Sequence, residues 1–382
     1  VSERYYRDTL VHVDLESIHH NYKMIGSKHP DKTFIAVVKA DSYGLGSDKV
    51  AHYLSERGVG YFAVATLDEA IDLRMHGIKD KILVLGIIRP EDINKAIQHR
   101  IAITAQGIEW VKEAKAHVDD KYEKEVWIHI KVNTGMNRYG TKNIEEIKEM
   151  IEEINTFERF IYEGIFSHLT SADMDNESTE MEMSAFKNVI GQVETPEYVH
   201  IQNSAGALCY DGDFCNAMRI GISLYGYYPS PFVESTSSID LKPAIDLTAK
   251  VAAVHNLKSG ESVSYGRTYT AESDETIATL PIGYADGFIR ARTGSKVEIN
   301  GHQCPVVGRV CMDSVMVKVP ADVKVGDEAY LINKNPDSPQ SMDIYSDYTE
   351  TIPYESLTLL SKRIPRYYQG EDVHFVYNEV LK

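Results

Sequence analysis

Phe34-Ile-Ala-Val-Val-Lys39-Ala-Asp-Ser-Tyr43-Gly-Leu-Gly46 decides how this chain is read. The stretch opens as an apolar, β-branched run of strand length. It closes on a lysine, then breaks into a polar turn carrying Gly44 and Gly46. Helical patterning resumes at Ser47, with Val50, Ala51 and Leu54 on one face. Lys39 is therefore expected at the C-terminal tip of a strand that feeds a helix. In α/β barrels that rim carries the chemistry. A lysine desolvated there can lose its proton and form a Schiff base with an aldehyde cofactor. Taken alone, the same lysine also reads as a strand end that snorkels to water.

Working outward, Leu10–Leu15 alternates as a first strand and 16–29 reads as a helix. Strand patterns then recur at 33–39, 61–65, 81–86, 101–104, 126–132, 163–168, 198–202 and 217–220. Helical stretches separate most of them: 67–76 closed by Gly77, 90–99 opened by Pro90, and the charged run 143–155. Short buried strands alternating with helices imply a parallel sheet with helices outside. Eight such strands predict a closed, TIM-like (β/α)8 barrel, with no sequence repeat behind the period. Composition shifts near 229–243, which reads as a linker or exposed loop. Short alternating strands follow at 248–254, 276–280, 296–300, 315–319 and 328–332, and Asn300-Gly301 signals a hairpin. The expectation is a barrel domain over 1–240 and a mostly β domain over 241–382. The strand at 10–14 precedes the eight and is a candidate to pack on the second domain.

The chain has 382 residues, a 43% apolar fraction and a formal net charge of -17. That charge disfavours nucleic acid and anionic membranes as partners. No apolar run approaches the ~18 residues of a membrane span. The N-terminus has no apolar h-region, so a signal peptide is not expected. Cys209, Cys215, Cys304 and Cys311 form no Cys-x-x-Cys pair, and a reducing cytoplasm is the simplest setting. No His-x-x-x-His or Glu-x-x-His motif appears, so no metal is expected.

The C-terminal tips of the eight strands gather polar groups at one rim. They are Lys39, Lys131 with the turn Asn133–Arg138, His168, Asn203-Ser204, Arg219 and Gly221. The rim after the last two strands is a common phosphate site in such barrels. Ser204 opens a helix there, and Gly221-Ile222 permits close backbone approach, which suits a phosphate monoester. A reactive lysine facing a phosphate site points to pyridoxal phosphate. Individually, Ser204 also reads as a plain N-cap and His168 as a satisfied strand-end histidine.

Seven motifs then carry a resemblance. They are Ala36-Val-Val-Lys-Ala-Asp-Ser-Tyr-Gly44, Asn203-Ser-Ala205, Arg219-Ile-Gly-Ile-Ser-Leu-Tyr-Gly226, Val263-Ser-Tyr265-Gly266, Pro281-Ile-Gly-Tyr284-Ala-Asp-Gly287, Gly308-Arg-Val-Cys-Met-Asp313 and Ile352-Pro-Tyr354-Glu355. Over nearly its whole length the chain resembles alanine racemases, pyridoxal-phosphate enzymes with a barrel and a β-rich C-terminal domain. The resemblance implies Lys39 as the Schiff-base lysine, and Tyr43, Ser204, Gly221, Ile222 and Tyr354 around the phosphate. Arg219 would face the pyridine nitrogen with His168 behind it. Arg138 would lie near the cofactor phenolate and the substrate carboxylate, beside a Lys131 that many relatives carbamylate. Tyr265 and Met312 would enter from the partner subunit of a head-to-tail homodimer whose active sites are shared. Tyr284, Arg290 and Arg309 resemble entry-channel residues. The chain departs from the family at Asp41, Ser42 and Leu45, where Asn, Ala and His are usual. It departs again at Asn133 and Asn137, where Asp and Gly are usual.

The implied activity is interconversion of L- and D-alanine through a cofactor aldimine. Lys39 would serve the D-isomer and Tyr265 the L-isomer as opposed bases. The product D-alanine points to peptidoglycan synthesis. Alternatives are a serine or broader racemase, a decarboxylase of the same architecture, and a non-catalytic pyridoxal-phosphate-binding protein of the barrel type. Arg219, where decarboxylases place an acid, speaks against the decarboxylase. Tyr265 and Met312 lie in a second domain that the silent barrels lack.

Overall fold

The computed structural model describes residues 5–174 and 177–381. The chain forms two compact units. One comprises His19–Ser42 and Gly46–Leu241; the other comprises the chain up to Ile18, the short segment Tyr43–Leu45, and everything from Lys242 onward.

The first strand, β1 (Thr9–Asp14), belongs to the second of these units. The barrel strands are β2 (Thr33–Val37), β3 (Tyr61–Val64), β4 (Lys81–Val84) and β5 (Ile103–Ala105), followed by β6 (Val126–Lys131), β7 (Phe160–Phe166), β8 (Tyr198–His200) and β9 (Ala217–Ile220). Among the described residues they form an eight-stranded sheet in the order β4-β3-β2-β9-β8-β7-β6-β5. Every pairing along it among the described residues is parallel. A further parallel bridge, Leu83 to Ala102, joins β4 to the approach of β5 and closes the cylinder. The expected (β/α)8 barrel is therefore present. β2 is shorter than its apolar pattern: it ends at Val37, two residues before Lys39. The stretch 229–243 is not all loop, because Pro231–Thr236 is helical, capped by Ser230 and anchored by buried Val233.

Small barrels are usually filled with branched apolar side chains. Here Tyr61 on β3 reaches His129 on β6 at 3.0 Å. Those strands are not neighbours, so the contact crosses the barrel interior. His129 and His200 are completely buried, and Arg219 and Glu163 almost so. The middle of this barrel is polar.

The second unit is mostly β. Its strands are β10 (Ile245–Lys250), β11 (Ala253–Leu257), β12 (Ser262–Val263), β13 (Tyr269–Thr270), β14 (Glu275–Leu280), β15 (Lys296–Ile299), β16 (His302–Val307), β17 (Val315–Val319), β18 (Glu328–Ile332), β19 (Arg366–Gly370) and β20 (Val373–Tyr377). Ten described strands make one sheet, ordered β11-β14-β17-β16-β15-β18-β10-β1-β19-β20. β1 lies antiparallel to β10 and parallel to β19. Its alternating burial shows why it serves as an internal strand there. Asn300 and Gly301 both take positive φ, 52° and 78°, in the two-residue turn between β15 and β16. That is the conformation a type I′ hairpin requires.

Candidate active site

Lys39 stands immediately before an unusual turn. Ala40, Asp41, Ser42 and Tyr43 have φ of 51°, 58°, 53° and 56°, and Gly44 follows at 85°. Each non-glycine residue held there costs roughly 1–2 kcal/mol, so the turn needs external support. Glu69 supplies it. One carboxylate oxygen accepts from the Ala40 N–H at 2.8 Å; the other accepts from Ala65 and Thr66, closing the capping box of the helix Leu67–Met75. Asp41 completes the support: its carbonyl accepts from Gly46 and its carboxylate from the Ser47 N–H, each at 2.9 Å. Asp41 thus caps the turn where the usual family residue is Asn. The polar turn expected after Lys39 is in fact a left-handed helical turn.

Arg138, His168 and Arg219 act electrostatically with Lys39, and Lys131 acts on the same three. Burial, then Arg138 and more weakly Arg219, hold the Lys39 amine below the usual lysine range, against an opposing pull from Glu69. Burial and the same two arginines push Lys131 well below it. His168 is held well below the ordinary imidazole value by burial and by Arg219, Lys131, Arg138 and Lys39. The Arg219 guanidinium is lowered to about 10, chiefly by burial. It stays charged at neutral pH. The Lys131 ammonium sits over the Phe166 ring at 4.8 Å, and Arg219 over the same ring at 5.2 Å. Among the described residues, none of Lys39, Lys131, Arg138 and Arg219 makes an ion pair.

Arg219 is fixed through its two terminal nitrogens. One donates to His200 Nδ1 at 2.6 Å and to the His200 carbonyl; the other donates to the Ser167 carbonyl at 2.8 Å, to His168 Nδ1 at 3.2 Å and to the Ile201 carbonyl. Its Nε–H has no acceptor among the described residues.

Ser204 opens the helix Ser204–Cys209 after β8, capped by Asn203. Its hydroxyl oxygen accepts from the Gly221 N–H at 3.1 Å and the Ser223 N–H at 3.4 Å. As an acceptor from both, it keeps its own proton to donate. The N–H groups of Ser204 and Ile222, both buried residues, find no acceptor among the described residues. Buried backbone donors are ordinarily paired. A hydroxyl and two N–H groups left to donate suit a phosphate, and the free Nε–H of Arg219 suits an unprotonated ring nitrogen. The residues present therefore fit pyridoxal phosphate.

The loop carrying Arg138 is held by its two asparagines. The Asn133 side-chain oxygen accepts from the Gly135 and Asn137 N–H groups at 3.2 and 3.0 Å. Asn137 takes φ of 55°, which asparagine tolerates better than most residues.

In the second unit, the rings of Tyr43 and Tyr354 lie 6.1 Å apart, and Tyr43 is buried. Arg366 donates to the Gly44 carbonyl and Tyr368 to the Leu45 carbonyl. Tyr265 and Met312 share the mouth of a cavity of about 370 Å³ and are 70% and 51% exposed. Three motifs meet beneath them. The Tyr284 and Ala285 N–H groups donate to the Cys311 and Met312 carbonyls, and Ser264 donates to the Arg309 carbonyl at 2.7 Å. A Cβ on Gly283 would fall within 2.5 Å of those two carbonyls, so only glycine lets the loops approach. Tyr284, Arg290 and Arg309 are exposed.

The residues that sequence reading passed over are Glu69, His129, Glu163 and His200. The last three lie inside strands, where an apolar pattern gave no reason to separate them from the core. The Glu163-Gly164 pair was the available signal.

The family model for the alanine racemase N-terminal domain matches residues 13–229, and that for the alanine racemase C-terminal domain matches 244–368. The chain is 48% identical over its full length, and that of the relative, to an alanine racemase of Staphylococcus epidermidis. It is 49% identical, again over both full lengths, to one of Macrococcus caseolyticus. Among solved structures it is similar to the Bacillus anthracis alanine racemase with bound L-Ala-P. There the identity is 36% and the TM-score 0.93, with 99% of each chain covered.

Proposed function

The chain belongs to the alanine racemase family, and from that premise we propose that it interconverts L- and D-alanine with pyridoxal phosphate, as a cytoplasmic head-to-tail homodimer supplying D-alanine for peptidoglycan. Among the described residues, no helix is long and apolar enough to cross a membrane. The observation that carries the reading within the fold is Arg219, a buried guanidinium that acts on Lys39, Lys131 and His168 and has no carboxylate partner among the described residues.

When bound, the cofactor supplies an aldehyde for amino groups and a ring that draws electrons from the substrate Cα. Lys39 would hold it through its amine. Ser204, Gly221, Ile222, Tyr43 and Tyr354 would hold its phosphate. Arg138 would bind the substrate carboxylate, with Lys131 beside it. The Lys131 amine, held well below the usual lysine range by burial and two arginines, carries neutral nitrogen that carbon dioxide can modify. The resulting carbamate, formed with release of one proton, would place an anion next to Arg138.

Racemisation removes a proton from one face of Cα and returns one to the other. Lys39 Nζ, depressed by burial and two arginines, takes or returns the proton on the D side. The partner subunit's Tyr265 hydroxyl does so on the L side, with Met312 next to it. Arg219 can only donate. Its Nε–H would donate to the ring nitrogen of a bound cofactor, which would then carry no proton of its own and draw electrons less strongly. That favours return of the proton to Cα over transamination or decarboxylation. Tyr284, Arg290 and Arg309 would line the approach.

Purified protein with pyridoxal phosphate is incubated with L-alanine, L-serine and L-lysine, and optical activity is followed by circular dichroism. Selective decay with L-alanine, and D-alanine converging on the same endpoint, is expected. Equal decay with serine would make it a broader racemase. Stable optical activity with cofactor bound would leave only a binding protein.

A further inference from the structure

A file of hydrogen-bonded side chains runs through the barrel from Arg219 to Glu163. His200 Nδ1 lies 2.6 Å from the Arg219 guanidinium. His200 Nε2 lies 2.9 Å from His129 Nδ1, and His129 Nε2 lies 2.9 Å from Glu163 Oε2. The Tyr61 hydroxyl donates to the same Glu163 oxygen at 3.0 Å. The other Glu163 oxygen accepts from Lys81 at 2.8 Å. Lys81 and Glu163 line a cavity of about 570 Å³ with Arg74, Arg100 and Trp127. Lys81 is the first residue of β4, so this cavity lies at the opposite end of the barrel from the Lys39 rim.

The backbone is shaped for this file. A register shift between Ile128 and His129 leaves Glu163 as the extra residue of β7. Such bulges re-aim a side chain, and here one turns a carboxylate inward. Gly164 follows because the His129 ring fills its side-chain space: a Cβ there would sit 2.2 Å from His129 Nδ1. His200 in turn stacks on Phe166 at 4.8 Å.

The donors can be ordered without seeing hydrogens. Arginine only donates, so His200 Nδ1 accepts. His200 Nε2 then carries the proton and donates to His129 Nδ1. His129 Nε2 carries the next proton and donates to the carboxylate. The bond on one ring nitrogen sets the state of the other. Burial holds both imidazoles below their ordinary value, the His129–Glu163 bond notwithstanding, which leaves them neutral. Burial would raise the Glu163 carboxyl, but hydrogen bonds from His129 and Lys81 outweigh it and keep it ionised. Every donor in the file therefore points one way, from a buried cation to a buried anion.

We propose that Glu163 is a positioning residue for the reaction: through His129 and His200, both locked as neutral Nε2–H tautomers, its carboxylate is the counter-charge that holds Arg219 as a charged donor at the rim. The tautomers rest on this chain's hydrogen bonds alone; the link to turnover rests on the function proposed above. Without the file, Arg219 would be a buried guanidinium with no carboxylate to offset it among the described residues. Two neutral rings let an anion offset it without placing a carboxylate where it would protonate the ring nitrogen.

The test is imidazole nitrogen and proton NMR of the cofactor-free protein labelled with ¹⁵N-histidine, with His129→Asn and His200→Asn variants assigning the signals. Both residues are expected as Nε2–H tautomers that do not titrate between about pH 6 and 9. An Nδ1–H tautomer or an imidazolium at either position overturns the proposal. Glu163→Gln keeps an acceptor for His129 but removes the charge. It is expected to fold, load cofactor, and lose kcat about tenfold with little change in KM, the low end of what outer-shell partners cost. A kcat per bound cofactor equal to the parent's overturns the proposal, whatever happens to melting temperature. Should Glu163→Gln fail to fold, the parent's NMR spectra decide. A parent protein that shows the tautomers but does not racemise alanine would sink the proposed function, not the file.

Discussion

The two ends of the barrel treat charge in opposite ways. At the end where β4 begins, Lys81 is shared among Glu163, Glu197 and Tyr198. There the Arg74 guanidinium is spent on the carbonyls of Ile78, Asp80, His99 and Arg100. At the other rim, Lys39, Lys131, Arg138 and Arg219 gather without an ion pair among the described residues, in a chain of net charge -17. Backbone strain is heavier at the same rim, with four consecutive non-glycine residues at positive φ beside Lys39 against Arg100 at the Lys81 end. Paired charge and relaxed backbone hold a fold together. Unpaired like charge and stored strain oppose folding, and persist where a ligand relieves them. The contrast locates the working end before any ligand is considered.

The sharpest way to break this contrast is to remove the lysine. Lys39→Ala should lower racemisation by at least about 10³-fold, within the range for a lost base, and let the cofactor be dialysed away. Retained turnover would mean that the strained turn serves something else. Tyr265→Phe comes next. Racemisation should fall about 10²- to 10³-fold, while L-alanine still perturbs the cofactor absorbance and Cα–H exchange from the L isomer stops. Unimpaired exchange would remove Tyr265 from the reaction and leave its exposure unexplained.

Arg219→Glu inverts the rim's charge at its most buried point. An acid there can protonate the ring nitrogen and deepen the electron sink. Racemisation should slow by about tenfold or more, and the ratio of transamination to racemisation, read as pyruvate formed per turnover, should rise. An unchanged ratio would count against the shallow-sink account.

Much of this was legible in the sequence. Period and spacing gave the eight barrel strands, and Asn300-Gly301 marked its hairpin because that turn chemistry is local. The rim residues followed from where the apolar runs stop. What escaped depended on three-dimensional coincidence. The left-handed turn after Lys39 needs Glu69, and nothing local announces that a capping-box glutamate also holds a distant N–H. His129 and His200 occupy inward positions of apolar strands, where a buried histidine and a buried valine produce the same alternation. Glu163 faces inward only because of a bulge, and a bulge shifts the period that a reader relies on.

A smaller effect should separate the rim's histidine from the paired end. His129, His168 and His200 are all held neutral, first by burial. The unfolded chain takes up their protons as pH falls below about 6.5, and the native protein does so only at lower pH. The unfolded state then binds more protons, so stability falls with pH, by up to about 1.4 kcal/mol per pH unit for each histidine. Calorimetry of cofactor-free protein between pH 7.5 and 5 should show this decline. His168→Gln should flatten it. An equal slope in the variant would show that His168 already titrates normally in the native state.

The smallest effect probes the strain itself. Ser42 is fully buried at φ of 53°, and its hydroxyl has no hydrogen-bond partner among the described residues. Glycine at that position adopts positive φ freely and carries no orphaned oxygen. Against that gain stands the extra chain entropy glycine loses on folding, of roughly 0.5–1 kcal/mol. The two terms leave Ser42→Gly stabilising by about 1 kcal/mol or less, a rise of a few degrees in melting temperature at most. Ser42→Ala separates them: it removes the oxygen and keeps the strain. If both variants gain equally, the orphaned hydroxyl is the cost. A gain in glycine alone puts the cost in the backbone, and with it the run of strained residues that sets the Lys39 rim apart from the other end of the barrel.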